Sequence, residues 1–224
     1  MQLSWKVIFV ALFSLILPLR ASSLVSSTNQ KNDRNEKYVL KAKKVNSSPQ
    51  IDGILEKEIW GMAPSASQFI QKQPAEGMPA TEDTEVKILY NDDHLYIGIM
   101  CYDSEPKKII ANEKRRDSDN IYDNDHFQIM LDTFRDRRNG YVFVTNPLAA
   151  KLDLQIRKEG QNEGGRHVAN PNVNKDWNGI WEVRASLIET GWSAEIEIPL
   201  NTLRYNDQSE EWGLNFLRNV RRKK

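Results

Sequence analysis

The stretch Asn120-Ile-Tyr-Asp-Asn-Asp-His-Phe-Gln-Ile-Met-Leu-Asp132 concentrates the side chains best suited to engage a ligand. Tyr122 stands among the acids Asp123 and Asp125, and the run then alternates as a strand. Phe127, Ile129 and Leu131 point one way, and Gln128, Met130 and Asp132 the other. An aromatic ring can lie under the apolar face of a sugar while amides and carboxylates take its hydroxyls. An ordinary polar edge at a strand entrance has the same composition. Both readings stand at this level.

A second candidate aromatic is Trp177, in Asp176-Trp-Asn-Gly-Ile-Trp181, where no hydrophobic period requires its burial. Trp60, Trp192 and Trp212 fall on alternating or amphipathic apolar positions and are expected in the core. Tyr122 and Trp177 are therefore the aromatics most open to a ligand, each with a structural rim role as the alternative.

Other chemistry fits poorly. The histidines His94, His126 and His167 and the single cysteine, Cys101, show no zinc-ligand spacing. No nucleophile elbow, phosphate-cradling loop or dinucleotide fingerprint occurs. Asp117, Asp119, Asp123 and Asp125 form an oxygen-rich loop that could hold calcium, although the spacing matches no defined calcium loop. No other cofactor is expected. Glycoside hydrolysis needs two carboxylates across a cleft, roughly 5 to 9.5 Å apart. Asp125, Asp132, Glu195 and Glu197 are the acids to consider, and Glu195 and Glu197 read as a solvated sheet face.

The elements that must position these groups are mostly strands. Period-two segments are expected at Val39–Val45, Glu85–Tyr90, His94–Tyr102, Phe127–Thr133, Tyr141–Asn146, Leu152–Arg157, Trp181–Leu187, Trp192–Ile198 and Trp212–Val220. Asn91-Asp-Asp93 and Glu189-Thr-Gly191 are short enough to close hairpins. Leu95–Tyr102 is apolar on both faces and should be central, with Cys101 a small buried hydrophobe. Helical signals are brief, at Leu55–Met62, Pro106–Arg116 and Pro199–Arg204. The expected fold is all-β: an antiparallel, jelly-roll-like β-sandwich with a few short helices. Residues 160–179, with five asparagines and four glycines, read as a surface loop.

The amino terminus has the pattern of a secretory signal peptide over residues 1–21: Lys6, an apolar run from Val7 to Leu17, then small residues at Ala21, Ser22 and Ser23. Residues 22–37 are polar and read as a flexible linker, leaving 38–224 as the domain. The destination would be the periplasm, outer membrane or extracellular space. Lysines and arginines equal aspartates and glutamates at 31 each. Such a balance offers no general field for nucleic acid. The basic end, Arg218-Asn-Val-Arg-Arg-Lys-Lys224, is local and is expected to be solvated.

Five segments together resemble one family. They are Ile51-Asp-Gly-Ile-Leu-Glu-Lys-Glu-Ile-Trp60, Leu89-Tyr-Asn-Asp-Asp-His-Leu-Tyr-Ile-Gly98, Asp125-His-Phe-Gln-Ile-Met-Leu-Asp132, Gly191-Trp-Ser-Ala-Glu-Ile-Glu-Ile-Pro199 and Trp212-Gly-Leu-Asn-Phe216. Their succession resembles carbohydrate-binding modules of family nine, and most closely the branch at the N-terminus of large bacterial cell-envelope proteins. The resemblance implies a β-sandwich and non-catalytic binding of a polysaccharide or oligosaccharide. It also implies association with glycoside hydrolases or surface machinery. Tyr122 falls where sugar-binding members carry a stacking tryptophan, and Gln128 where they carry an acid that bonds hydroxyls. Val144 replaces a basic residue on the next strand. The second stacking tryptophan would lie beyond Lys224, where the envelope branch continues into a larger β-rich membrane domain.

The expectation is thus an exported binding module, with Tyr122 as platform, Gln128 as hydrogen-bonding contact and Trp177 as loop clamp. Asp125 is expected to order the loop. The alternative is a structural domain of a larger outer-membrane β-rich protein that binds no sugar.

Overall fold

The computed structural model of the protein describes residues 6–9, 39–157 and 173–223. The expected linker, most of the expected signal peptide and residues 160–172 of the polar loop lie outside the described residues.

The strands are β1 Lys6–Phe9, β2 Val39–Lys41, β3 Lys43–Lys44, β4 Ser65–Ala66, β5 Thr84–Tyr90, β6 His94–Tyr102, β7 His126–Asp132, β8 Asn139–Thr145, β9 Lys151–Arg157, β10 Val173–Asn174, β11 Glu182–Ile188, β12 Gly191–Pro199 and β13 Glu211–Asn219. They form two sheets. Sheet A runs β10-β9-β8-β7-β13-β1-β2, and sheet B runs β11-β12-β6-β5-β3 with β4 beside β5. Most neighbours are antiparallel, as alternation with short hairpins requires. Two pairs depart from that expectation, β1 with β13 and β3 with β5, both parallel.

The core lies between the sheets because each contributes its apolar alternate residues. Sheet B supplies Val86, Ile88, Ile97, Ile99, Trp192, Ala194, Ile196 and Ile198; sheet A supplies Phe127, Ile129, Leu131, Tyr141, Phe143, Leu214 and Phe216. Strand β6 is central as expected, and Cys101 upon it is fully buried. Burial pushes its thiol up to about 12, so it packs as an inert hydrophobe.

Helical signals shrink to single turns. The only α-helix among the described residues is α1, Lys57–Trp60. Leu200–Thr202 and Pro106–Lys108 are 3-10 turns, and residues 109–114 have no regular structure. In the latter segment Ile110 accepts from the Asp125 backbone N–H, and its own N–H donates to the Asp125 side chain. These tertiary partners override weak helical propensity.

Glu195 overturns the expectation of a wet outer face on sheet B. It is fully buried there, accepting from the N–H groups of Asp52 and Gly53 at 2.9 Å each and from the Trp60 indole at 2.7 Å. Burial pushes its carboxyl up, opposed by those donors. The segment from Val45 to Ala63 covers this face, packing Val45, Ile59, Trp60 and Ala63 on Leu89 and Tyr96. Two glycines permit the close approach. A Cβ at Gly98 would come within 2.7 Å of the Trp60 ring, and Gly53, at φ +92°, lies against the backbone of Ala185. Three of the five family-like segments therefore converge on one buried carboxylate.

Candidate functional site

Tyr122 is carried by a 3-10 turn, Asp119–Asp123, that the alternation of neighbouring strands does not announce. Ser118 caps the turn, its side chain accepting from Asn120 N–H. Ile121 drops from the turn into a second apolar cluster with Val142, Val144, Ala150 and Leu152, and Tyr122 packs half-buried against it. This cluster lies on the outer face of sheet A, opposite the main core.

Register places Gln128 on the same face. Val144 lies directly across from it on β8 and Leu217 on β13. Two positions along β7, Met130 is exposed. His126 links the two candidates: its ring stands perpendicular to Tyr122 at 5.4 Å between centroids, and its Nε2 is 3.0 Å from the Gln128 amide nitrogen. Tyr122, Gln128 and Leu217 thus form a half-apolar, half-polar floor on an open sheet face, with the His126 ring buried between Tyr122 and Gln128. His126 was missing from the sequence-based candidates. Its alternation with Gln128 on one strand face was the available signal.

Trp177 lies elsewhere. Its ring packs on Tyr141 at 4.9 Å and Phe143 at 5.9 Å, inner-face residues of β8. The cause is Asp153 on β9, a fully buried carboxylate on the core side. It accepts from Gly179 N–H at 2.6 Å, from the Trp181 indole at 3.0 Å and from Arg116 Nη2 at 2.6 Å. The Asp176–Trp181 loop is thereby pulled inward. A clamp by Trp177 over a ligand on Tyr122 and Gln128 does not match this arrangement, because sheet A separates them.

The acids near Tyr122 are each engaged apart from the others. Lys175 Nζ reaches both Asp119 oxygens at 2.8 and 2.9 Å, and Arg221 reaches Asp123 at 3.0 Å. Asp125 turns inward and accepts from Ile110 N–H at 2.9 Å, with burial pushing its carboxyl up. Among the described residues no three or more His, Cys, Asp or Glu side chains gather into a set that could hold a metal ion. Asp132 accepts from the N–H groups of Arg137 and Asp136, closing the β7–β8 turn. Of the four acids considered for hydrolysis, Asp125, Asp132 and Glu195 spend oxygens on backbone N–H groups; Glu197 faces His94 at 3.9 Å.

Among the described residues of the basic end, Arg218 and Arg222 are largely buried rather than solvated as expected. Arg222 reaches Asp103 at 2.6 Å and Glu82 at 2.9 Å, and Lys223 reaches Glu82 at 2.5 Å. Arg218 donates to the carbonyls of Asp83 and Tyr102 at 2.7 and 2.6 Å. These bonds tie the end of the chain to β5 and β6.

A two-sheet sandwich with an aromatic, an amide and aliphatic side chains on an open face has the architecture of a binding module. The profile of the family described as "Carbohydrate family 9 binding domain-like" matches residues 51–224, and the chain belongs to that family. Among solved structures, the fold is similar to a family 9 carbohydrate-binding module from Caldicellulosiruptor kristjanssonii. Its complex with cellotriose has TM-score 0.53 at 18% identity, covering 80% of this chain and 76% of that one. Its complex with glucose has TM-score 0.51 at 18% identity, covering 79% and 78%. A protein from Bacteroides uniformis is similar at TM-score 0.56 and 12% identity, covering 80% and 83%. No curated protein matches the sequence.

Proposed function

We propose that this domain is a non-catalytic carbohydrate-binding module that takes a neutral oligosaccharide on the outer face of sheet A. Tyr122 stacks beneath a sugar ring, Gln128 bonds a ring hydroxyl, and Leu217 and Met130 extend the apolar floor. The observation that carries this reading is the convergence of Tyr122 and Gln128 on one open face of a chain in this family. Complexes of a similarly folded module with glucose and cellotriose support the choice of ligand. Export through the 1–21 leader would bring the module to polysaccharide; its removal would take β1 out of sheet A, and N-terminal sequencing of secreted protein should then begin after Ala21.

Calorimetric titration with cellotriose tests the site. Tyr122→Ala is expected to weaken binding about tenfold or more, since an aromatic stacking contact with its buried area contributes on the order of 1.5 kcal/mol. Trp177→Ala should leave the affinity within about twofold while lowering stability, because its ring packs on Tyr141 and Phe143. Wild-type affinity in Tyr122→Ala would remove the site, and release of sugar by the purified protein would replace binding with hydrolysis.

A further inference from the structure

We infer that the sugar face is a trough with a second subsite at Met130 and Asn215, so that the domain holds a run of neutral sugar units along β7 and not a single ring. The inference rests on the sugar-site reading for its ligand and on strand register for its geometry. On the outer face of sheet A, β7 presents Gln128, Met130 and Asp132 in turn. Leu217 of β13 stands opposite Gln128, Asn215 opposite Met130 and Gly213 opposite Asp132. Successive rungs are about 6.7 Å apart, two residues of an antiparallel strand.

The first two rungs repeat one chemistry with the strands exchanged. In the first the amide, Gln128, is on β7 and the aliphatic side chain, Leu217, on β13; in the second Met130 is on β7 and the Asn215 amide on β13. Each rung thus offers an apolar contact and a hydrogen-bonding amide, matching the C–H face and the hydroxyls of one sugar ring. Both rungs are open: Met130 is 39% exposed, Leu217 is 37% exposed, and Asn215 is exposed. Because β7 and β13 pair directly, the trough does not depend on β1.

Both ends of the trough are closed by groups already engaged. Beyond the second rung Gly213 carries no side chain, and Asp132 accepts from the N–H groups of Asp136 and Arg137. Beside Tyr122, Arg221 holds Asp123 and Lys175 holds Asp119. The pattern therefore stops after two rungs, and the charges at its ends are paired, which suits a short run of a linear neutral glycan. Two aliphatic side chains among amides are too small an apolar patch for a protein partner, which usually covers about 800 Å² on each side.

Calorimetry on the full chain with glucose and with cellotriose measures the preference for length. The wild type should bind cellotriose at least about tenfold more tightly than glucose. In the double variant Asn215→Ala/Met130→Ala the ratio should fall to about threefold, the statistical advantage of three rings over one at a single subsite. Both altered side chains are exposed, so the double variant is expected to keep the fold. Tyr122→Ala should weaken both sugars. A tenfold ratio retained in the double variant, or a wild-type ratio of about threefold or less, would overturn the second subsite and leave the Tyr122 site standing. Failure of both sugars to bind the wild type would remove the sugar face and the second subsite together.

Discussion

Replacing Glu195 with alanine should destabilise the domain by about 4 kcal/mol or more, enough to leave much of it unfolded at moderate denaturant. The carboxylate is fully buried and accepts from three donors, Asp52 N–H, Gly53 N–H and the Trp60 indole. Each buried donor left without a partner costs about 1–3 kcal/mol. That loss compares with about 5–15 kcal/mol for the whole stability of a typical domain. In a domain of this size it lowers Tm by about 10 °C. Glu195→Gln keeps one acceptor oxygen but turns an NH₂ toward a donor, and should fall between wild type and alanine. Denaturant midpoints of the three proteins check the order; a midpoint for Glu195→Ala near that of wild type would show that the Val45–Ala63 cover is held by packing alone.

Arg222→Ala should cost about 3 kcal/mol, and its effect arises at the other end of the sandwich. Arg222 pairs with Asp103, whose side chain is fully buried, and with Glu82, 4% exposed. Removing one partner from a buried ion pair costs about 3–5 kcal/mol because the other charge is stranded. Lys223 remains on Glu82, which places the value at the lower end. Burial alone would push the Glu82 carboxyl up, but Lys223 and the Ser104 hydroxyl and N–H hold it down to about 2. A depressed carboxylate contributes stability above its unfolded value that is lost as pH falls. The wild-type midpoint should therefore drop between about pH 4.5 and about pH 2, and Lys223→Ala should flatten that drop. An unchanged midpoint in Arg222→Ala at neutral pH would mean that the docked end contributes nothing to the fold.

Strand positions and the central place of β6 were legible because period two survives wherever an inner face packs on a core. Burial on the outer faces was not. Glu195 and Glu197 alternate like solvated residues, and only the return of Val45–Ala63 across sheet B removes Glu195 from water. Alternation reports one packed face and is silent about a cover that comes from distant sequence. The same limit hid the ion pairs of Arg222, whose partners stand more than one hundred residues away.

The candidate site divided along similar lines. The sequence sets Tyr122 ahead of an alternating strand that carries Gln128, and the register puts the two on one face. The packing of Trp177 on Tyr141 and Phe143 was not legible because its sequence neighbours are polar, whereas Asp153, distant in sequence, draws those polar groups inward and the ring with them. The Asn120–Asp132 segment thus carries both roles at once: Asp125 orders its interior side while Tyr122 and Gln128 face outward.

Chemical-shift mapping with cellotriose tests the sugar-binding face most directly. Perturbations confined to Tyr122, His126, Gln128, Met130, Val144, Asn215 and Leu217, growing to saturation with added sugar, are the predicted result. No saturable shift at any residue, or shifts centred on Trp177 and Tyr141, would contradict it.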